Sequence, residues 1–170
     1  MNVLSITGIN PAKAEQVIKE LNQLLADFQI YYTNLRGYHW HVRGRQFYTF
    51  HSQFEKMYNE AAEQVDEIAE RILQLGGVPE NRFSEYLKLS KIKEETKVTD
   101  PAKIIPALLD SLKVLIAQER AVAAAADAAD DIVTADLVSD LLDGQVLSRD
   151  ELVSELVQDK RFKGMEEQLR

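Results

Sequence analysis

The residues of this 170-residue chain best suited to binding a metal ion include its histidines, which all fall within thirteen positions. They are His39, His41 and His51. Two further pairs have helical spacing, because His51 is four residues before Glu55 and Asp66 is four before Glu70. Imidazole nitrogens and carboxylate oxygens together are a ligand set for transition metal ions. The pattern therefore predicts a metal site.

The distance between the two pairs constrains how that site can be built. His51 and Asp66 are fifteen residues apart, which is about 22 Å along one helix axis. A single metal ion reaches its ligands at only about 2.0–2.3 Å. If both pairs serve one metal, a second chain must supply one of them. An antiparallel two-fold pairing of these helices would bring His51 beside Asp66 of the partner subunit, and would do so twice.

The elements that must position these residues are helices, as the three-and-four spacing of apolar residues indicates. Four long helices are predicted, from Asn10-Pro11 to about His41, from about Gln46 to Gly76-Gly77, from Asp100-Pro101 to about Ala129, and from Ile132 or Val133 to about Gln158. The connection 78–100 is long and contains a short helix around 84–89. Residues 1–9 are an N-terminal segment and residues 159–170 a tail of the same single domain. This all-α arrangement, with a long crossover between helices two and three, is that of a ferritin-like four-helix bundle.

Composition excludes several other classes of site. The chain contains no cysteine, which excludes disulfides, cysteine-zinc sites and thiol catalysis. No histidine follows His51, so the third and fourth helices cannot supply the Glu-x-x-His motifs of an in-bundle di-iron centre.

The net charge of −8 attracts cations and repels nucleic acid. Without a signal-like N-terminus or a membrane-spanning apolar run, we expect a cytoplasmic protein.

The segment from Tyr38 to Pro79 resembles the fingerprint of the Dps family, the mini-ferritins named as DNA-binding proteins from starved cells. The resemblance is carried by the stretches His39-Trp40-His41-Val42-Arg43-Gly44, in which only His41 departs from the family, Phe47, His51, Phe54-Glu55, Asp66, Ile68-Ala69-Glu70-Arg71 and Leu75-Gly76-Gly77-Val78-Pro79. The resemblance implies a hollow cage of twelve subunits, with ferroxidase centres at its two-fold interfaces.

The resemblance also implies a role for each residue of the centre. His39 and His51 would come from one subunit, and Asp66 and Glu70 from its neighbour. Glu55 would assist the second iron or a bridging water, and Trp40 would intercept stray oxidising equivalents. The implied reaction is oxidation of Fe(II), preferentially by hydrogen peroxide, followed by growth of ferric mineral inside the cage, which protects against oxidative stress.

Other positions are less fully specified by the resemblance. His41 stands where the family usually has asparagine, and in a continuing helix it would point away from a metal held by His39. The family's three-fold pores are lined by aspartates near the start of the fourth helix, which makes Asp136 the best candidate and Asp131 and Asp140 weaker ones. Asp131 is equally suited to capping that helix.

Two alternative functions remain open at the level of the sequence. The first is a nucleoid-binding structural cage with little iron chemistry, although the chain carries no evident basic arm. The second is a helical adaptor or oligomeric scaffold without metal chemistry.

Overall fold

The structure is a computed structural model that describes residues 3–158, so the predicted tail 159–170 lies outside the described residues. Within that range the chain forms six helices and no strand. The helices are α1 (Val3–Thr7), α2 (Pro11–His41), α3 (Phe47–Gln74), α4 (Phe83–Leu89), α5 (Pro101–Ala128) and α6 (Ile132–Gln158). The four long helices, the crossover between α3 and α5 and its short helix confirm the predicted fold class. The other predicted ends agree to within about two residues, the usual uncertainty of helix termini, while Gln158 is also the last described residue, so the predicted end of the fourth helix stays a prediction.

The first helix, α1, was not predicted. It is five residues long and lies in the segment 1–9, for which the sequence predicted no helix. A helix this short shows too few apolar positions for its periodicity to be recognised.

The beginnings of the long helices follow their capping residues. The Asn10 side chain accepts a hydrogen bond from the Ala12 N–H at 3.0 Å, and Pro11 occupies the first helical position of α2. Asp100 caps α5 in the same way, since its Oδ1 accepts from the Ala102 N–H at 3.1 Å. These caps fix where each helix enters the bundle.

The core lies between the long helices, with α2 packed against α3 and α5, and α5 against α6. The largest fully buried side chains include Tyr38, Phe28, Phe50, Phe54, Leu21, Leu24, Leu35, Ile68, Ile72 and Ile104. They come from α2, α3 and α5, so burial of one face of each helix holds the bundle together. No helix among the described residues is long and apolar enough to cross a membrane.

The crossover is fastened to α2 by two buried polar side chains. Asp27 accepts hydrogen bonds from the Lys91 N–H at 2.6 Å and the Ser90 hydroxyl at 3.0 Å. Asn34 donates to the Lys93 carbonyl oxygen and accepts from the Glu95 N–H, both at 2.9 Å. Since these bonds satisfy backbone groups of the long connection, it lies against the bundle along a defined path.

Candidate metal centre

A five-residue turn, 42–46, brings the end of α2 beside the start of α3. The Val42 N–H donates to the Tyr38 carbonyl oxygen at 2.9 Å, and the Arg43 N–H donates to the Thr99 carbonyl oxygen at 2.9 Å. Gly44 has φ of +117°, in the region that favours glycine. The turn is therefore bonded both to α2 and to the segment before α5. These bonds help to fix the position of α3 relative to α2.

His39 and His51 lie against each other across this turn. Their rings stack with centroids 3.7 Å apart and an interplanar angle of 22°. The Nδ1 atom of His39 is 2.8 Å from the His51 carbonyl oxygen, and the Nδ1 atom of His51 is 2.8 Å from the His39 carbonyl oxygen. The two residues are thus joined by a reciprocal pair of hydrogen bonds.

This reciprocal pairing determines which nitrogen of each ring is free. A carbonyl oxygen can only accept a hydrogen bond, so each Nδ1 must carry the proton and donate it. In the neutral form of each ring, Nε2 is then unprotonated and its lone pair is available to a metal ion. Fixing the tautomer through a bond from the other ring nitrogen is the usual support for a metal-binding histidine.

Neighbouring aromatic rings hold the two imidazoles in place. Phe47 stacks on His51 with centroids 4.8 Å apart, and Tyr58 meets His39 edge-on at 5.4 Å. His39 is 9% exposed and His51 is partly exposed. The pair is therefore preformed, with its orientation set by packing as well as by hydrogen bonds.

The predicted carboxylates are placed differently from the histidines. Glu55, Asp66 and Glu70 are all exposed, and among the described residues no hydrogen bond or ion pair engages their side chains. Glu55 lies one turn after His51 on α3. Since α3 continues unbroken through Asp66 and Glu70, the axial separation of about 22 Å from His51 to Asp66 is retained. Within the described residues of one chain, no three histidine, aspartate or glutamate side chains converge to hold a metal ion.

Trp40 and His41 flank the pair at the end of α2. The Trp40 side chain is 56% exposed, and the Arg36 guanidinium carbon lies 5.0 Å from the centre of its ring. His41 is partly exposed. The roles predicted for Trp40 and His41 stay predictions.

A buried ion pair, which sequence spacing did not reveal, joins the end of α3 to the start of α6. Nη2 of Arg71 lies 2.6 Å from Asp131, and Nε of Arg71 donates to the Thr134 hydroxyl at 2.8 Å. Burial opposes ionisation of Asp131, but hydrogen bonds from Thr134 and Arg71 outweigh it and hold the pKa of Asp131 below its ordinary value. Glu70 immediately precedes Arg71, so this pair anchors the part of α3 that carries Asp66 and Glu70.

The same contacts bear on the predicted pore residues. Asp131 is 3% exposed and accepts from the Thr134 N–H at 3.1 Å, which is the capping role rather than that of a pore lining. Asp136 and Asp140 are exposed on α6. Asp140 lines a groove of about 290 Å³ between α3 and α6 whose other acidic residues are Glu60, Glu63, Glu67 and Glu151.

Glu119 is a second feature that the sequence did not reveal. It lies in the alanine-rich helix α5, is 0% exposed, and neither of its carboxyl oxygens has a hydrogen-bond partner. Burial raises the pKa of Glu119 to about 8. Its carboxyl group is therefore mostly protonated at neutral pH.

Comparison with known proteins places this chain in a family. A family model described as a ferritin-like domain matches residues 18–162. The "DNA protection during starvation protein" of Porphyromonas gingivalis is 50% identical over 143 residues, which are 84% of this chain and 90% of that protein.

Solved structures agree with the sequence relatives. A Dps protein from Vibrio cholerae O1, described as a member of a broad superfamily of ferritin-like diiron-carboxylate proteins, is 35% identical with a TM-score of 0.85, over 87% of this chain and 93% of that one. Dps from Staphylococcus aureus is 33% identical with a TM-score of 0.80, over 83% and 95%. The chain belongs to the Dps family of ferritin-like proteins, whose general functions are iron storage and protection.

Proposed function

We propose that this protein is a ferroxidase and iron store that oxidises Fe(II), preferentially with hydrogen peroxide, at centres shared between two subunits. The observation that carries the proposal is the reciprocal hydrogen bonding of His39 and His51. It supports metal binding because it leaves both Nε2 atoms free to bind a metal, on rings whose orientation is already fixed.

The unbroken length of α3 supports a shared centre. Two imidazoles alone form a weak and incomplete site for iron, and carboxylates are the ligands that stabilise Fe(III). Asp66 and Glu70 are exposed and unengaged but lie too far from the histidines of their own chain. We therefore assign Asp66 of the partner subunit and Glu70 of the partner subunit to the centre, with Glu55 beside His51 completing it.

The chemistry follows from this ligand set. Imidazole nitrogens bind Fe(II), and the carboxylates hold the harder Fe(III) that is formed. With two irons at one centre, peroxide accepts one electron from each, so that 2 Fe(II) + H₂O₂ + 2 H⁺ gives 2 Fe(III) + 2 H₂O. Because both electrons are delivered at one centre, hydroxyl radical is not the main product, and the reaction removes iron and peroxide together.

Exposed apolar side chains support assembly into a homo-oligomer, for which we propose the twelve-subunit cage. Antiparallel pairing of α3 with a second copy would bring the apolar residues exposed near its two ends into one patch, and contiguous apolar patches commonly mark an interface. The large apolar residues exposed on α2, α3 and the start of the crossover are Trp40, Tyr48, Leu73 and Val78, which are 56%, 83%, 56% and 83% exposed. They lie on or beside the helices that carry the proposed ligands, so burying them against a second copy would also bring the two halves of the centre together.

The first experiment measures iron oxidation directly. Anaerobic Fe(II) is added to the protein, followed by peroxide, and ferric absorbance is recorded. We expect His51→Ala and Asp66→Ala to abolish the fast phase, while the matched controls His41→Ala and Glu67→Ala retain it. A wild-type protein without ferric absorbance, or variants indistinguishable from it, would contradict the proposal.

A mixing experiment tests whether the centre is shared. In a pair built from one His51→Ala subunit and one Asp66→Ala subunit, one site carries both substitutions and the other carries none. Subunits denatured together and reassembled at random should therefore recover about a quarter of the wild-type sites. A centre built within one chain would give no recovery at all.

A further inference from the structure

Among the described residues, Tyr58 is the tyrosine or tryptophan in ring contact with the histidine pair. It is partly exposed on α3, two turns after His51, and its ring meets that of His39 edge-on with centroids 5.4 Å apart. On its other side it meets the ring of Tyr32 at 6.3 Å and 72°. Both spacings are those of aromatic rings in direct contact. Tyr58 thus links the proposed iron ligands to a second tyrosine on α2.

Trp40 has a different environment, although it neighbours His39 in the sequence. Among the described residues no ring contact joins Trp40 to either histidine, whereas the Arg36 guanidinium lies 5.0 Å from the centre of its ring. Removing an electron from the indole leaves a positive charge beside that guanidinium, and the two charges repel. Arg36 therefore opposes oxidation of Trp40.

Tyrosine oxidation does not meet the same obstacle. A phenol loses its proton together with the electron, so the product is a neutral radical and no charge accumulates next to Arg36. The Arg36 guanidinium carbon is 5.0 Å from the Tyr32 ring centre, and among the described residues no contact joins Arg36 to Tyr58. Of these aromatic side chains, Tyr58 combines contact with an iron ligand and a position apart from the cation.

We propose that Tyr58, rather than Trp40, is the side chain that reduces the one-electron by-product of iron oxidation. The inference rests on the proposed ferroxidase function. When a single iron reacts, Fe(II) + H₂O₂ gives Fe(III) + OH⁻ + •OH. Tyr58 transfers a hydrogen atom, so that •OH + TyrOH gives H₂O + TyrO•. A second Fe(II) and a proton return TyrO• to TyrOH and yield Fe(III), which completes the two-electron reduction of peroxide.

The test combines freeze-quench electron paramagnetic resonance with spin trapping. Anaerobic assembled protein is loaded with Fe(II) and mixed with an excess of peroxide, so that no Fe(II) remains to reduce the radical before freezing. We expect a tyrosyl radical signal in the wild type, its loss in Tyr58→Phe, and more trapped hydroxyl radical from that variant. Trp40→Phe should keep the tyrosyl signal, as should Tyr86→Phe, whose ring lies on α4 and contacts that of Phe83.

Ferric absorbance measured on the same samples separates the possible failures. A wild-type protein that forms no ferric iron overturns the proposed function and this inference with it. If ferric iron forms, a tyrosyl signal that survives Tyr58→Phe or is lost in Trp40→Phe overturns the role of Tyr58 alone. A Tyr58→Phe protein unable to form ferric iron also overturns it, because the proposed role begins after iron has given up its electron.

Discussion

Replacing Glu119 by glutamine should make the protein more stable at neutral pH and should remove part of the pH dependence of its free energy of unfolding. Glu119 is fully buried without a hydrogen-bond partner, and burial raises its pKa to about 8 from the ordinary value of 4.5. The folded state therefore holds this proton more tightly than the unfolded state does. Its contribution to stability is complete below pH 4.5 and is lost as pH rises through about 8.

The size of the effect follows from the width of that window. Between the two pKa values the unfolded chain is ionised at this position and the folded chain is not, so the free energy of unfolding falls by about 1.4 kcal/mol per pH unit. From pH 5 to pH 7.5 the loss is about 3 kcal/mol. Glutamine is nearly the same size and does not titrate, so Glu119→Gln should gain on the wild type by that amount across the range.

The assay is chemical denaturation of both proteins from pH 5 to pH 7.5 at one subunit concentration, because assembly contributes to apparent stability. Glu15→Gln, a change at an exposed position on α2, is the matched control and should show no such divergence. If the difference between Glu119→Gln and the wild type is constant over this range, or if the variant is the less stable protein at pH 7.5, the reasoning from burial is wrong.

Three further outcomes are expected. At Gly77 an added Cβ would lie 2.8 Å from the Cγ2 methyl of Ile18, so Gly77→Ala should lower the free energy of unfolding by about 1–3 kcal/mol. At Gly37, inside α2, an added Cβ would have nothing within 4 Å, so Gly37→Ala should raise the free energy of unfolding by about 0.5–1 kcal/mol. Equal effects of the two substitutions in denaturation would contradict this. Asp131→Asn leaves the Arg71 guanidinium without its carboxylate and should lower the free energy of unfolding by about 3 kcal/mol at pH 7. This difference should shrink as pH falls through the lowered pKa of Asp131, and a thermal midpoint equal to that of the wild type would argue against the ion pair. Given the net charge of −8, a gel-shift at low salt should show no retention of DNA, and retention that fades steeply with salt would favour the nucleoid-binding alternative.

Local sequence signals were sufficient for the helices but not for contacts between them. Asn10-Pro11 and Asp100-Pro101 predicted the starts of α2 and α5, since capping depends on residues that are close in sequence. The Arg71–Asp131 pair joins residues 60 positions apart, and no local pattern connects them. Glu119 looks like any polar residue of an alanine-rich helix, because its burial depends on how the bundle packs around it.

In the candidate centre, too, local spacing predicted some features, while contacts between helices were not predictable from the sequence. Spacing on α3 indicated that His51 and Asp66 cannot share a metal within one chain. It did not indicate the stacking of His39 on His51 or the exchange of Nδ1 hydrogen bonds, because both depend on the path of the turn 42–46. The free Nε2 atoms, on which the proposed chemistry relies, therefore became evident only from the folded chain.

The most direct test of the shared centre is a crystal structure of the assembled protein soaked with Fe(II), with anomalous scattering used to locate the metal. The proposal predicts iron bound by Nε2 of His39 and Nε2 of His51, together with Asp66 of the partner subunit and Glu70 of the partner subunit, at each two-fold interface. Iron held entirely by residues of one chain, or absent from the histidine pair, would contradict it.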